Sequence, residues 1–85
     1  MMRTIYLDAR KLEKKEEAHF YLKEVLNFPD YYGENLDALY DCLMEEPSLH
    51  IIISNKNEAG DYGNRILSVM EDAQKENDGL NLTIE

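Results

Sequence analysis

Apolar and polar residues alternate with two different periods along this chain, and each change of period predicts the boundary of an element. From Thr4 to Asp8, Ile5 and Leu7 share one side around Tyr6, the period of a short strand. From about Lys11 to Leu26 the period becomes helical: Leu12, Ala18, Leu22, Val25 and Leu26, with Phe20, form an apolar stripe, and Pro29 stops the helix at or before Phe28. A turn from Pro29 to Gly33 feeds a second helix. Asn35 is placed there to cap the first turn, and Gly33 to take a backbone conformation that other residues avoid. Met44 to Pro47 ends that helix. Leu49 to Ile53 is β-branched and almost continuously apolar, which predicts a strand covered on both faces. A polar loop from Asn55 to Asn64 follows. Ile66, Leu67, Val69, Met70 and Ala73 then trace a long amphipathic helix stopped by Asn77-Asp78-Gly79, and Leu80, Leu82 and Ile84 alternate with Asn81 and Thr83 in a last strand.

Strands separated by helices imply right-handed crossovers and therefore an α/β fold, a small three-stranded parallel sheet with packed helices. The middle strand is the most apolar, so the predicted spatial order is 1-2-3. At 85 residues the chain suits a single domain over 1–85 that buries roughly 60–65% of its unfolded surface. No run is long enough to span a bilayer, and Met1 to Asp8 lacks the apolar core of a signal peptide. The one cysteine, Cys42, has no internal partner for a disulfide. These features together predict a cytoplasmic protein.

Charge sharpens the picture on the second helix. The net charge is −9, which repels nucleic acid and anionic membranes and favours a basic protein partner. No Lys or Arg occurs between Val25 and Asn55, a stretch that holds Asp30, Glu34, Asp37, Asp41, Glu45 and Glu46. At about 100° per residue, Leu36, Leu39, Tyr40 and Leu43 gather on one side of this helix while Glu34, Asp37, Asp41 and Glu45 gather on the other. Asp37/Asp41 and Asp41/Glu45 are like-charged pairs four residues apart, each unfavourable by roughly 0.2–0.5 kcal/mol. The helix macrodipole accounts for acids in the first turn only; Asp41 and Glu45 lie towards its negative end. A face so arranged suits a basic partner better than it suits the helix itself.

Other chemistry finds little support. The Asn55–Asn64 loop lacks phosphate-loop spacing and carries Glu58 and Asp61. Cys42 has no histidine near it in sequence, and acidic neighbours raise rather than lower a thiol pKa. His19 and His50 show no metal-ligand spacing, and His50 reads as a satisfied core or edge histidine. Carboxylates on one straight helix converge poorly on a cation. The expectation is therefore a non-enzyme without cofactor or metal. Tyr31, Tyr32 and Tyr40 flank the acidic stripe, aromatic anchors beside charges as at protein interfaces, although Tyr40 fits the core face equally well.

The segment from Pro29 to Leu43, Pro-Asp-Tyr-Tyr-Gly-Glu-Asn-Leu-Asp-Ala-Leu-Tyr-Asp-Cys-Leu, resembles the barstar family of intracellular ribonuclease inhibitors. The resemblance extends more weakly over the whole chain, through the order of elements, the helix from Ile66 to Glu76 and the terminal Leu82-Thr83-Ile84. It implies a three-stranded parallel sheet with packed helices and an inhibitor that plugs the active site of a basic, guanyl-specific ribonuclease with the acidic helix and the turn before it. By family pattern Asp41 occupies the phosphate-binding centre, Asp37 engages neighbouring basic groups and Tyr31 packs on the catalytic histidine. Gly33 and Asn35 contribute from the turn, Tyr40 replaces a family aromatic at the contact edge, and Asp72 aligns with a carboxylate that reaches a peripheral basic residue. Glu45 and Glu46 extend the acidic surface. The stretch Met44-Glu45-Glu46-Pro47-Ser48 is shorter than in the family and lacks its tryptophan, which implies a homologue tuned to another enzyme. The expected partner is an extracellular-type ribonuclease or nuclease toxin, bound one to one by a chain that is monomeric when free and acts as an immunity protein. The alternative is an acidic adaptor that binds a basic protein without blocking catalysis.

Overall fold

The computed structural model describes residues 2–85; Met1, which the sequence reading includes in the domain, lies outside the described residues. Strands β1 (Arg3–Asp8), β2 (Leu49–Ser54) and β3 (Leu80–Ile84) form one parallel sheet in the order β1-β2-β3. Register aligns Ile5 with Ile51 and Ile51 with Leu82, so the most apolar strand is central, as predicted. Helices α1 (Lys15–Leu26), α2 (Leu36–Met44) and α3 (Gly60–Glu76) complete the fold.

The prediction that β2 is covered on both faces is wrong. Leu49, Ile51 and Ile53 are buried, whereas His50, Ile52 and Ser54 are only partly covered, and Tyr6 on the same side of β1 is 70% exposed. The cause is topological. Two right-handed crossovers between strands laid down in the order 1-2-3 step in the same direction and carry every helix to one side. The sheet therefore has a packed face and an open one. On the open face His50 Nε2 meets the Thr83 hydroxyl at 2.7 Å, so this histidine is satisfied at the surface rather than in the core.

Two helix boundaries also differ from the periodic pattern. Ala9–Leu12 form a 3-10 turn, which buries Leu12, and α1 starts only at Lys15. Asp8 nucleates the turn by accepting from the Arg10 backbone N–H at 3.0 Å and from its guanidinium at 2.8 Å, and that partner holds the Asp8 carboxyl well below the usual range. Phe20 is 59% exposed, and the apolar stripe of α1 runs instead through Ala18, His19, Leu22 and Leu26. The expected Asn55–Asn64 loop is shorter than predicted, because Lys56–Glu58 form a second 3-10 turn and α3 begins at Gly60.

Helix α2 is held by Leu39 and Leu43, both fully buried, with burial of each leucine contributing roughly 1.5–3 kcal/mol. Its far end is tied to the loop after α3. The Asn77 side-chain amide donates to the carbonyls of Leu43 and Glu46, each at 2.9 Å, and so satisfies groups that a helix C-terminus leaves without partners. The Gly79 N–H donates back to Asn77 Oδ1 at 2.9 Å. A Cβ on Gly79 would run into the Pro47 carbonyl and stand 3.2 Å from the Glu46 oxygen, backbone that cannot rotate away. Gly79→Ala is therefore expected to destabilise the fold by about 1–3 kcal/mol, read as a lower midpoint in urea with an unchanged m-value.

Candidate protein-binding site

The turn before α2 is anchored at both ends by aromatic residues. Helix α1 closes on Asn27 in the left-handed region (φ 56°), with the Phe28 N–H donating to the Lys23 carbonyl at 3.0 Å. Phe28 and Tyr32 are buried with ring centroids 4.7 Å apart. Tyr31, between these anchors, is left 85% exposed. Glu34 rather than Gly33 adopts the left-handed conformation (φ 53°), which corrects the expectation for the glycine. Gly33 sits in close quarters: a Cβ there would stand 3.2 Å from Asn35 Nδ2 and 3.3 Å from the Ala38 Cβ, both tight contacts. Asn35 caps α2 as predicted, its Oδ1 accepting from the Ala38 N–H at 2.7 Å. Asn35→Ala should lower stability by about 1 kcal/mol, measurable as a shift in thermal midpoint.

Behind the turn lies a buried network that periodicity did not reveal. His19 is fully buried, its Nδ1 2.7 Å from the Tyr32 hydroxyl and its Nε2 2.6 Å from the Tyr62 hydroxyl. A neutral imidazole has one donor and one acceptor nitrogen, so one tyrosine accepts from the ring and the other donates to it. Burial lowers the His19 pKa and pushes the Tyr32 phenol up. The network joins α1, the binding turn and α3. The position of His19, one residue after Ala18 and three before Leu22, is the sequence signal that it faces inward.

Between the turn and the exposed side of α2 runs a cleft of about 500 Å³. Phe28, Tyr31, Tyr32 and Gly33 line one wall, and Asp41, Cys42, Glu45 and Glu46 the other. Asp37, Asp41 and Glu45 are exposed, and none has an ion-pair partner within 4.0 Å among the described residues. Glu46 differs: it is partly buried and accepts from Arg3 Nη2 at 3.3 Å, while the same nitrogen donates to the Leu26 carbonyl at 3.2 Å. Arg3 thus joins the two walls at one end. The Cys42 thiol is pushed up, by burial first and by Glu45 and Asp41 next, so it stays protonated. Asn35 and Asp37 line a smaller neighbouring cleft with Lys15 and Arg65. Tyr40 packs partly against the core, and exposed Asp72 on α3 lines neither cleft. Among the described residues no three His, Cys, Asp or Glu are grouped to hold a metal ion, and no helix is long and apolar enough to cross a membrane.

The arrangement is an aromatic wall facing unpaired carboxylates, which suits a cationic group with an apolar or aromatic body. Comparison with known proteins gives two matches. A family model described as Barstar (barnase inhibitor) matches residues 2–85. The chain is also 43% identical over 81 residues to a Bacillus subtilis (strain 168) protein named "Putative ribonuclease inhibitor YrdF", a match that covers 88% of this chain and 89% of that one.

Proposed function

The chain belongs to the Barstar (barnase inhibitor) family, a family of inhibitors and not of enzymes, and on that premise we propose that it blocks the active site of a basic, guanyl-specific ribonuclease with α2 and the turn before it. The observation that carries this reading is the run of unpaired carboxylates Asp37, Asp41 and Glu45 along one side of α2, of which Asp41 and Glu45 share a cleft with the exposed Tyr31. A ribonuclease active site must hold phosphates, so it presents convergent cations that carboxylates can occupy in their place. Asp41 stands mid-stripe as the main phosphate mimic, with Asp37 and Glu45 one turn to either side. Tyr31, Gly33 and Asn35 supply the turn's contacts, and Tyr40, Glu46 and Asp72 act at the periphery. The like-charge repulsion along α2 is relieved when a basic partner is present.

In this reading the chain is a cytoplasmic, monomeric immunity protein that binds one secreted-type nuclease per molecule. Steady-state kinetics test it. An active-site plug raises the apparent KM of a guanyl-specific ribonuclease for RNA and leaves kcat unchanged, whereas an adaptor that binds elsewhere leaves both unchanged. Association should also be steered by the −9 net charge, so the stopped-flow on-rate should fall steeply from low to moderate ionic strength. A rate indifferent to salt would remove the electrostatic part of the proposal.

A further inference from the structure

The smaller cleft beside α2 breaks the pattern of the acidic surface. It has a volume of about 350 Å³ and is lined by Lys15, Asn35, Leu36, Asp37, Tyr62 and Arg65. Lys15 is the first residue of α1 and Arg65 lies in the second turn of α3, so the fold brings two cations from distant segments to the start of a helix whose own sequence has none. Both are exposed, and neither makes an ion pair or side-chain hydrogen bond among the described residues. The floor between them is fixed, because the Tyr62 hydroxyl is held by the buried His19 at 2.6 Å.

We propose that Lys15 and Arg65 receive a carboxylate of the bound ribonuclease, next to the place where Asp37 meets its cations. The inference rests on the inhibitor reading above and extends it to a determinant of partner choice. Two cations at the border of a surface meant for a basic protein repel that protein unless an anion meets them, and like charges juxtaposed in an interface are strongly unfavourable. A pair of opposite sign beside the acidic stripe therefore rejects basic proteins in general and favours one that carries an acid at this position. A protein carboxylate fits better than a nucleic-acid phosphate, since the whole molecule, at a net charge of −9, repels a polyanion.

Charge reversal tests the claim by its sign. The double variant Lys15→Glu/Arg65→Glu is compared with Lys56→Glu/Lys75→Glu, which changes net charge equally at exposed positions outside both clefts. Each is titrated against a guanyl-specific ribonuclease that the parent inhibits, with Asp41→Ala measured on the same enzyme. Glutamate at the first position of α1 suits the helix dipole, and Arg65 is exposed, so the reversed protein should fold; thermal melts verify it. The expected result is binding weakened at least roughly tenfold by the Lys15/Arg65 reversal and unchanged or tightened by the control. Unchanged or tighter binding by the Lys15/Arg65 reversal overturns the carboxylate contact while leaving the plug intact if Asp41→Ala still weakens the complex. Weakening by the reversal together with an indifferent Asp41→Ala keeps the contact and sinks the plug.

Discussion

Asp41→Ala should weaken binding to the target ribonuclease more than any other single alanine substitution, by about 2–5 kcal/mol, while leaving the fold intact. The magnitude is the general one for truncating one member of a buried, hydrogen-bonded charge pair, for which the barnase–barstar complex of this same family is itself a reference case. The position explains the rank. Asp41 lines the larger cleft opposite the aromatic wall, has no ion-pair partner within 4.0 Å among the described residues, and stands between Asp37 and Glu45. It is the carboxylate a partner would desolvate most completely, and its loss would strand cations in a dry pocket. The free protein should respond in the opposite direction. Alanine is the better helix former and its introduction removes two like-charge contacts, together a gain of about 1–1.7 kcal/mol. Calorimetric titration against the nuclease and thermal unfolding of the variant check both halves. Binding within twofold of the parent would refute the role given to Asp41.

A second large effect is expected at His19, this time on stability. His19→Leu leaves the Tyr32 and Tyr62 hydroxyls without their partners at 2.7 and 2.6 Å and should cost about 2–4 kcal/mol in urea unfolding. The same residue should make the parent sensitive to mild acid. Burial holds the folded-state pKa of His19 below the unfolded value of 6.5, so the unfolded chain takes up the proton first. This stabilisation is complete above pH 6.5 and is lost as pH falls from there to the depressed folded pKa, with a limiting slope of about 1.4 kcal/mol per pH unit. Asp8 acts in a separate and more acidic window, because its carboxyl is lowered by Arg10 and its contribution fades only below the ordinary carboxylate range. Urea midpoints at several pH values between 5 and 7 therefore isolate His19. A His19→Gln protein that keeps the parent's slope over that interval would show that another group titrates there.

How far the sequence could be read depended on whether a feature was local. The Asn35 cap, the buried Leu39 and Leu43, and the exposed Asp37 and Asp41 all follow from spacing within a dozen residues, and the structure agrees. The central place of β2 follows from its almost continuous apolar run. Errors arose where distant segments decide. Period alone places Phe20 in the core, but neighbouring His19 meets two hydroxyls from remote parts of the chain and takes the inward position. Gly60 and Gly63 looked like loop residues and belong to the first turns of α3. The ties from Arg3 to Glu46, across 43 residues, and from Asn77 to the end of α2 leave no local trace. The acidic stripe was legible because its like-charge spacing is written in one helix. The shape of its cleft was not, because the opposite wall is set by how Phe28 and Tyr32 pack.

The open face of the sheet bears on how such proteins diverge. A relative with 43% identity differs at more than half of its aligned positions, yet a one-sided sheet confines strict packing demands to the side the helices cover. Thr4, Tyr6 and Thr83 stand on the bare side, where most replacements shift stability by no more than about 0.5 kcal/mol. Neutral drift should accumulate there. Change around the acidic cleft would have another origin, adaptation to a moving target, so lineages can be told apart by which of the two faces varies faster.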